Sequence, residues 1–562
     1  MSDFGRKGVA HAALETRRVA RMDVFIKSGK NMNNSVIARG RKSALTTAMA
    51  TCCIGLLCAS AAVAVAADGK TDAKTAAAFS YAVPTELPNP ADPLSAADFA
   101  WKEFIALTWP AAPNASQIAG TSPYIRGQAD SGAAPGSTGP DGTVVWETYY
   151  HRDELYPNYT NPNVLYTLPD ANAMPNYQYG ATTITGATPG TKLNLFNNLD
   201  EASEISIAKM YFTPLAKKAD NLKALYPNPT PAQQALIQQA AIDSAIMYEA
   251  KGNSVIYNYV KQNQFNNPAP RRKARAQAMN KINNLPVTGT AFELPAGSIE
   301  IKATWRHYNP DTDNLKDFHW TTGLYYTKAS PTSPNLVANN DILLLVGLHI
   351  IQKTPNVPTF TFATFEHVSN EKNGFRFFNA SPQIYTPPSF PRALPDPGII
   401  EAKRQYAVPQ DVAAYNNKIQ KALRAAYGND VVWANYQLIG VQAIVADNPT
   451  STVPPQQFFL SNFATETNDT LQFFQGGLTG PGTNVPNPDT AHVFTVDAQT
   501  KKYAGHTAGG CLGCHGSQGQ FPGGDFSVIA ATGNASFVPE PITPYPSGPV
   551  VSQNPAGFPL KQ

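Results

Sequence analysis

Thiols are nearly absent from this chain. Of its five cysteines, Cys52, Cys53 and Cys58 sit in one apolar run near the start, and only Cys511 and Cys514 lie beyond it. That leaves no thiols for a disulfide framework, so stability must come from a hydrophobic core and from whatever the chain binds. Charge is sparse too: Asp, Glu, Lys and Arg make up 15% of the residues, against a usual level of about 25%. There is no Gly-x-Ser-x-Gly elbow, no phosphate loop and no dinucleotide fingerprint, which removes the commonest hydrolase, nucleotide and nicotinamide readings. No internal repeat stands out.

The apolar run, Ala44 to Ala67, follows Arg39, Arg41 and Lys42 and closes on Ala64-Val65-Ala66. A positive stretch, an apolar stretch and a small-x-small exit are the three parts of a secretion signal, here expected to be cleaved after Ala66. An uncleaved membrane anchor is the alternative, since the run approaches the roughly 20 residues that span a bilayer. The n-region is long, and Met22 or Met32 would make a more ordinary start. Removing residues 1–66 takes away ten basic and three acidic side chains from totals of 43 and 40, leaving 33 against 37. The basic balance of the whole chain therefore belongs to the targeting segment and says nothing about nucleic acid. The 48 prolines fit an exported, loop-rich protein, and 43% hydrophobic residues are enough to build a sizeable core.

Along the chain, residues 67–94 read as a tether. A helix is expected from an N-cap at Ser95, with Trp101, Phe104, Ile105 and Leu107 on one apolar side, ending at Trp109-Pro110. Residues 143–150 read as a strand or short buried segment, 199–212 as weakly helical, and 231–262 as helix with a break at Gly252. Arg271, Arg272, Lys273, Arg275 and Lys281 form the one basic cluster, expected as an exposed helix face; the sharper alternative is a dock for an acidic redox partner. From Ser298 the pattern turns to strands at 298–308, 318–328, 341–352 and 359–368, separated by turn residues as in an antiparallel sheet. A helix at 411–426 and a strand at 431–440 follow. The fold class expected is α+β: one large mixed domain over 95–500 with an antiparallel sheet plus helices, a cofactor-bearing segment over 501–537 and a proline-rich tail over 538–562.

The remaining two cysteines stand in Cys511-Leu512-Gly513-Cys514-His515. At this spacing both thiols can form thioethers to the vinyl groups of haem, and the adjacent histidine can ligate its iron. Cys511 and Cys514 are thus expected to hold one covalent haem c, with His515 as the proximal iron ligand. A zinc knuckle would want further cysteine or histidine ligands at close spacing, and a thioredoxin-type disulfide would want a βαβ setting. Downstream of His515 there is no methionine and no histidine. A sixth iron ligand must then come from upstream, and His349, His367 and His506 are the candidates singled out among the upstream histidines and methionines. By alternation, His349 is expected to share a face with Leu345 and Gly347, and His367 with Ala363 and Phe365. A separate non-haem metal site is conceivable from His307, His319, His349, His367, Glu300 and Glu366, if neighbouring strands align them.

Three stretches together resemble a family of large exported bacterial cytochrome c proteins with a single haem-attachment motif near the C-terminus. They are Trp101–Pro110; Val346–Ile351 with Ala363–Val368; and Cys511–Gly516 leading to Asp525-Phe526-Ser527. The resemblance implies covalent haem and a redox role in the periplasm, and it supplies no substrate. The function expected is electron transfer by a mono-haem c-type cytochrome, partnered by a redox protein or a small-molecule donor or acceptor. No nucleic-acid partner is expected, and a membrane only if the signal stays uncleaved. The alternatives are a haem enzyme with an open distal site, acting on peroxide or a small organic substrate, and a haem-based sensor.

Overall fold

The computed structural model describes residues 79–546 apart from 117, 137–141, 160–163, 187–193, 203–207, 380–397, 402–406, 445–461, 463, 466–491, 497–498, 508–509, 517–521, 528 and 531–537. All of these belong to one compact unit, Asp72–Gln562. The expected signal segment lies outside the described residues, as does the tail beyond 546. No helix among the described residues is long and apolar enough to cross a membrane.

A nine-stranded sheet organises the unit. Its strands are β1 (Tyr150–His151), β2 (Ile184–Thr185), β3 (Asn198–Leu199), β4 (Ile246–Gly252), β5 (Ile299–His307), β6 (Trp320–Lys328), β7 (Leu336–Thr354), β8 (Val357–His367) and β9 (Tyr436–Gln442). The main order is β9-β8-β7-β5-β4-β1, with β6 and β2 also on β7 and β3 on β6. Pairing is antiparallel through the main order, and the short β2 and β3 add in parallel. The fold is thus mixed helix and sheet as expected, with a sheet that is not wholly antiparallel. β7 is the spine: Leu343 to Leu348 is an unbroken apolar run buried on both sides, the pattern of a strand covered on both faces.

Register sorts the side chains onto two faces. Ile301, Ala303, Trp305, Leu345, Leu348, Ile350, Ala363, Phe365 and Leu438 point one way, into the largest apolar cluster. Tyr248, Ala250, Lys302, Thr304, His349, Ile351, Phe362 and Thr364 lie on the other, as the cross-strand partners show. The two series change over at a bulge: Leu345 pairs with Trp305 but Gly347 with Thr304, so Val346 is the extra residue. This corrects the alternation expected for His349. It shares a face with Gly347 but not with Leu345, because the bulge shifts the phase between them.

Helices α1 (Pro93–Leu107) and α4 (Gln410–Tyr427) cover the first face. Phe104 of α1 stacks on Phe365 at 4.3 Å between centroids, and Trp101 meets the same ring edge-on at 5.1 Å. The Trp101 Nε1–H donates to Asn416 Oδ1, and Asn416 donates in turn to the Leu438 carbonyl, tying α1, α4 and β9 together. The cap of α1 is Asp92, whose carboxylate accepts the Leu94 and Ser95 amides, and not Ser95 itself. Pro93 can occupy the first turn because no amide is needed there, which moves the start earlier than the apolar spacing alone implies. Asp92→Ala is expected to cost about 1 kcal/mol, read as a lower urea midpoint.

Several expectations shift. Residues 199–212 and 231–262 are not continuous helix: β4 and the short strand Ala208–Phe212 run through them, flanked by helices Thr213–Leu225, Pro231–Asp243 and α2 (Ser254–Asn263). Burial on both faces let Ile246-Met247-Tyr248 pass for a helical stretch. The 431–440 strand begins as a helical turn at Val432–Asn435 before β9. Residues 79–92, expected within the tether, lie against the unit: Leu87 is fully buried and its carbonyl accepts from Asn356. The described start of the tail does the same, since the Ile542 amide donates to the Tyr326 carbonyl.

Candidate functional site

The motif helix α5 (Gly510–His515) packs on the second face of the sheet, where Leu512, with Phe526 and Ile529 farther along the chain, clusters with Ile351 and Phe362. A single helical turn carries positions 511, 514 and 515, so three residues spaced by three and four share one side of it. The Leu512 amide donates to Gln442 Oε1 on β9 at 3.0 Å, and Leu512 itself is fully buried. Cys511 is half-buried against the cluster formed by Ile351, Phe360, Phe362, Leu512, Phe526 and Ile529. The Cys514 side chain lies outside the described residues.

His515 sits with its ring 5.1 Å from that of Phe362 on β8. Its Nδ1 is hydrogen-bonded to the Phe526 carbonyl at 3.0 Å, which assigns the ring proton to Nδ1 and leaves Nε2 as the atom able to ligate iron. Burial, helped by the nearby Lys302 ammonium, holds the imidazole down at about 4. The ring is therefore neutral at neutral pH, the form that a metal requires.

The loop that presents this carbonyl is strained. Asp525 and Phe526 both have positive φ, 54° and 65°, and neither is glycine. Such residues cost on the order of 1–3 kcal/mol each and persist only where their surroundings impose them. Here the surroundings are visible. Asp525 Oδ2 is held by the Lys353 ammonium of β7 at 2.7 Å and accepts the Leu294 amide at 2.6 Å. Burial nonetheless outweighs both contacts and raises the Asp525 carboxyl to about 6. Arg275 donates to the Ala530 and Pro522 carbonyls on either side of the strained pair. Gly523, at φ 69°, passes so close to the Arg275 carbonyl that a Cβ would lie 2.6 Å from it.

That contact corrects the reading of the basic cluster. On α3 (Pro268–Ile282), Arg271 and Arg275 are buried, and Arg271 donates to the Phe265 carbonyl, while Arg272 and Lys273 are exposed. Two of the five, Arg271 and Arg275, pin the chain internally, so the cluster is not a single exposed basic face.

The candidate sixth ligands separate clearly. His349 lies on the same face as α5, between Lys302 on β5 and Thr364 on β8. His367 lies on the opposite face, stacked on Phe318 at 3.9 Å, with Nδ1 bonded to Ser369 Oγ and Nε2 to the Asp317 carbonyl. It is five strand residues beyond Phe362, roughly 16 Å away at the usual rise. His506 belongs to the strand Tyr503–Thr507, and its side chain lies outside the described residues. Burial depresses His367 to about 4, below the 6.5 of an ordinary imidazole, so the unfolded chain takes the proton first. Its stabilisation is complete above about pH 6.5 and is lost as pH falls toward 4. A His367→Gln variant should show a flatter dependence of unfolding free energy on pH across that window; an unchanged slope would contradict this.

The strand histidines and glutamates do not converge on a second metal site. His307 packs edge-on against Tyr325 at 4.9 Å, and His319 Nε2 faces Glu147 Oε2 at 3.3 Å. Among the described residues the one compact group of metal-type donors is His151, Asp153 and Asp200, all buried. Sequence reasoning missed it, because Asp200 arrives from a loop 47 residues beyond Asp153 with no spacing signal. His151 Nε2 lies 3.4 Å from Asp200 Oδ1, and Nδ1 lies 3.5 Å from Asp153 Oδ2. Nδ1 also accepts the Asp153 amide, which places the proton of a neutral ring on Nε2, and Arg152 occupies the other Asp200 oxygen at 2.7 Å. The carboxylates flank opposite ring nitrogens, an arrangement that suits a shared proton better than a cation. Burial and Asp200 push Asp153 up, while Arg152 and His151 hold Asp200 down.

Comparison with protein-family models, with curated proteins and with solved structures gives no match for this chain.

Proposed function

We propose that the chain is an exported mono-haem c-type cytochrome that transfers single electrons in the periplasm. Cys511 and Cys514 hold the haem by thioethers, and His515 ligates its iron. When bound, haem supplies a one-electron iron couple; the chain's own residues bind, orient and shield it.

One observation carries the reading more than any other: the Phe526 carbonyl receives the His515 Nδ1–H from a backbone held at positive φ. Strain is spent to aim one carbonyl at the histidine of a Cys-x-x-Cys-His sequence. This is the outer-shell contact that fixes a ligating imidazole and raises its basicity. The apolar residues around α5, with Phe362, Phe526 and Ile529 closest to the argument, are the low-dielectric shell that a haem face needs. The apolar run of residues 44–67 and its small-x-small exit support export.

The test is a potentiometric titration of protein exported together with haem-attachment machinery. A single reversible one-electron wave supports the carrier. Bleaching with rapid peroxide turnover would favour the enzyme, and a protein with no haem would overturn the reading.

A further inference from the structure

We propose that His349 is the sixth ligand, closing the iron between two histidines; this rests on the reading of residues 511–515 as the haem-attachment site. His349 is on the sheet face that α5 covers, and its cross-strand partner on β8 is Thr364. Two residues from Thr364 on the same face is Phe362, the ring against which His515 packs at 5.1 Å. His349 and Phe362 are therefore diagonal neighbours across one strand pair, and His515 packs on Phe362 from the helix above it.

Both side chains are partly buried. The His349 Nε2 atom itself is buried.

Rivals are placed elsewhere. His367 spends both ring nitrogens on the opposite face. Met247 points into the cluster on that face too. Met279 lies against Gly523, in the loop that runs to Phe526.

Two local features accompany this position. Gly347, two residues before His349 on the same face, lies so close to Asn462 and Thr465 that a Cβ would come within 2.9 Å of Thr465 Oγ1. The bulge at Val346 is what turns His349 to the side of α5; without it, the phase set by Leu345 would send the ring into the opposite cluster.

The experiment compares wild type, His349→Ala, His349→Met and Met279→Ala, each exported with haem-attachment machinery. Covalent haem after denaturation tests the underlying reading, and visible spectra with and without carbon monoxide test the ligand. Wild type should be low-spin when reduced and indifferent to the gas. His349→Ala should retain covalent haem but turn high-spin and bind carbon monoxide, and added imidazole should restore the low-spin spectrum. Should the alanine variant not fold, His349→Met should fold and show a sulfur-to-iron charge-transfer band absent from wild type. A high-spin wild type, or a folded His349→Ala that stays low-spin and closed to the gas, would overturn the assignment while leaving the haem reading intact. Loss of the low-spin spectrum in Met279→Ala would overturn it as well. Absence of covalent haem from wild type would instead sink the underlying reading.

Discussion

Protein exported with Cys511 and Cys514 both replaced by alanine is expected to carry no covalent haem after denaturation, against one equivalent in wild type. The effect is near total because thioether attachment has no substitute among the described residues: no other cysteine lies downstream of residue 58. His515→Ala is expected to behave differently. Its thiols remain, so covalent haem is retained in part, while the low-spin spectrum disappears because the proximal ligand is gone. Haem staining of a denaturing gel with absorption spectra separates the two outcomes. Wild-type staining in the double cysteine variant would contradict the attachment.

Lys251→Ala is expected to produce the largest loss of stability. Lys251 is fully buried on β4, with its ammonium 3.1 Å from Glu249 Oε2 and donating to the Glu147 and Phe196 carbonyls at 2.8 and 2.6 Å. Glu249 is fully buried too, and its other oxygen accepts the Trp305 indole N–H at 2.9 Å. Removing the ammonium leaves a carboxylate in the core without its counter-charge, a change that costs about 3–5 kcal/mol. Burial already pushes the Glu249 carboxyl above its ordinary value, with Lys251 the main contact opposing it. In the variant Glu249 can escape only by taking up a proton. The penalty should therefore shrink as pH falls and grow as pH rises. Pairing Lys251→Met with Glu249→Gln should recover most of the loss, because the orphaned charge goes with its partner. Urea midpoints at pH 5 and pH 8 check both the size and the sign.

The proposed attachment site could be read from the sequence because it is local. Two thiols and an imidazole within five residues state their own spacing, and the strands on either side of His349 and His367 announce themselves by Phe/Thr alternation and by an apolar run. What lay between was not legible. Trp101–Pro110, Val346–Ile351 with Ala363–Val368, and the stretch from Cys511 to Ser527 share no sequence period. In the fold they form three layers: α1 on one face through Phe104 and Phe365, β7 paired with β8 in the middle, and α5 on the other face through Phe362. Register made that layering, and register depended on one bulged residue, Val346, that no composition rule marks. Arg271 and Arg275 misled for a related reason. A basic helix face reads as solvated, and only the tertiary fold brings the Phe265, Pro522 and Ala530 carbonyls to those guanidinium groups. The His151, Asp153 and Asp200 cluster was hidden because Asp200 reaches the other two only in the tertiary fold, where its neighbour Glu201 bridges to Tyr248 on β4 beside the pairing of β1 with β4.

The most direct test of the central claim is the intact mass of the exported, denatured polypeptide, made with haem-attachment machinery present. A mass equal to the cleaved chain plus one haem, with the haem carried on the peptide containing Cys511 and Cys514, is the result expected. A homogeneous chain at its unmodified mass would contradict the assignment of residues 511–515 as a haem-attachment site.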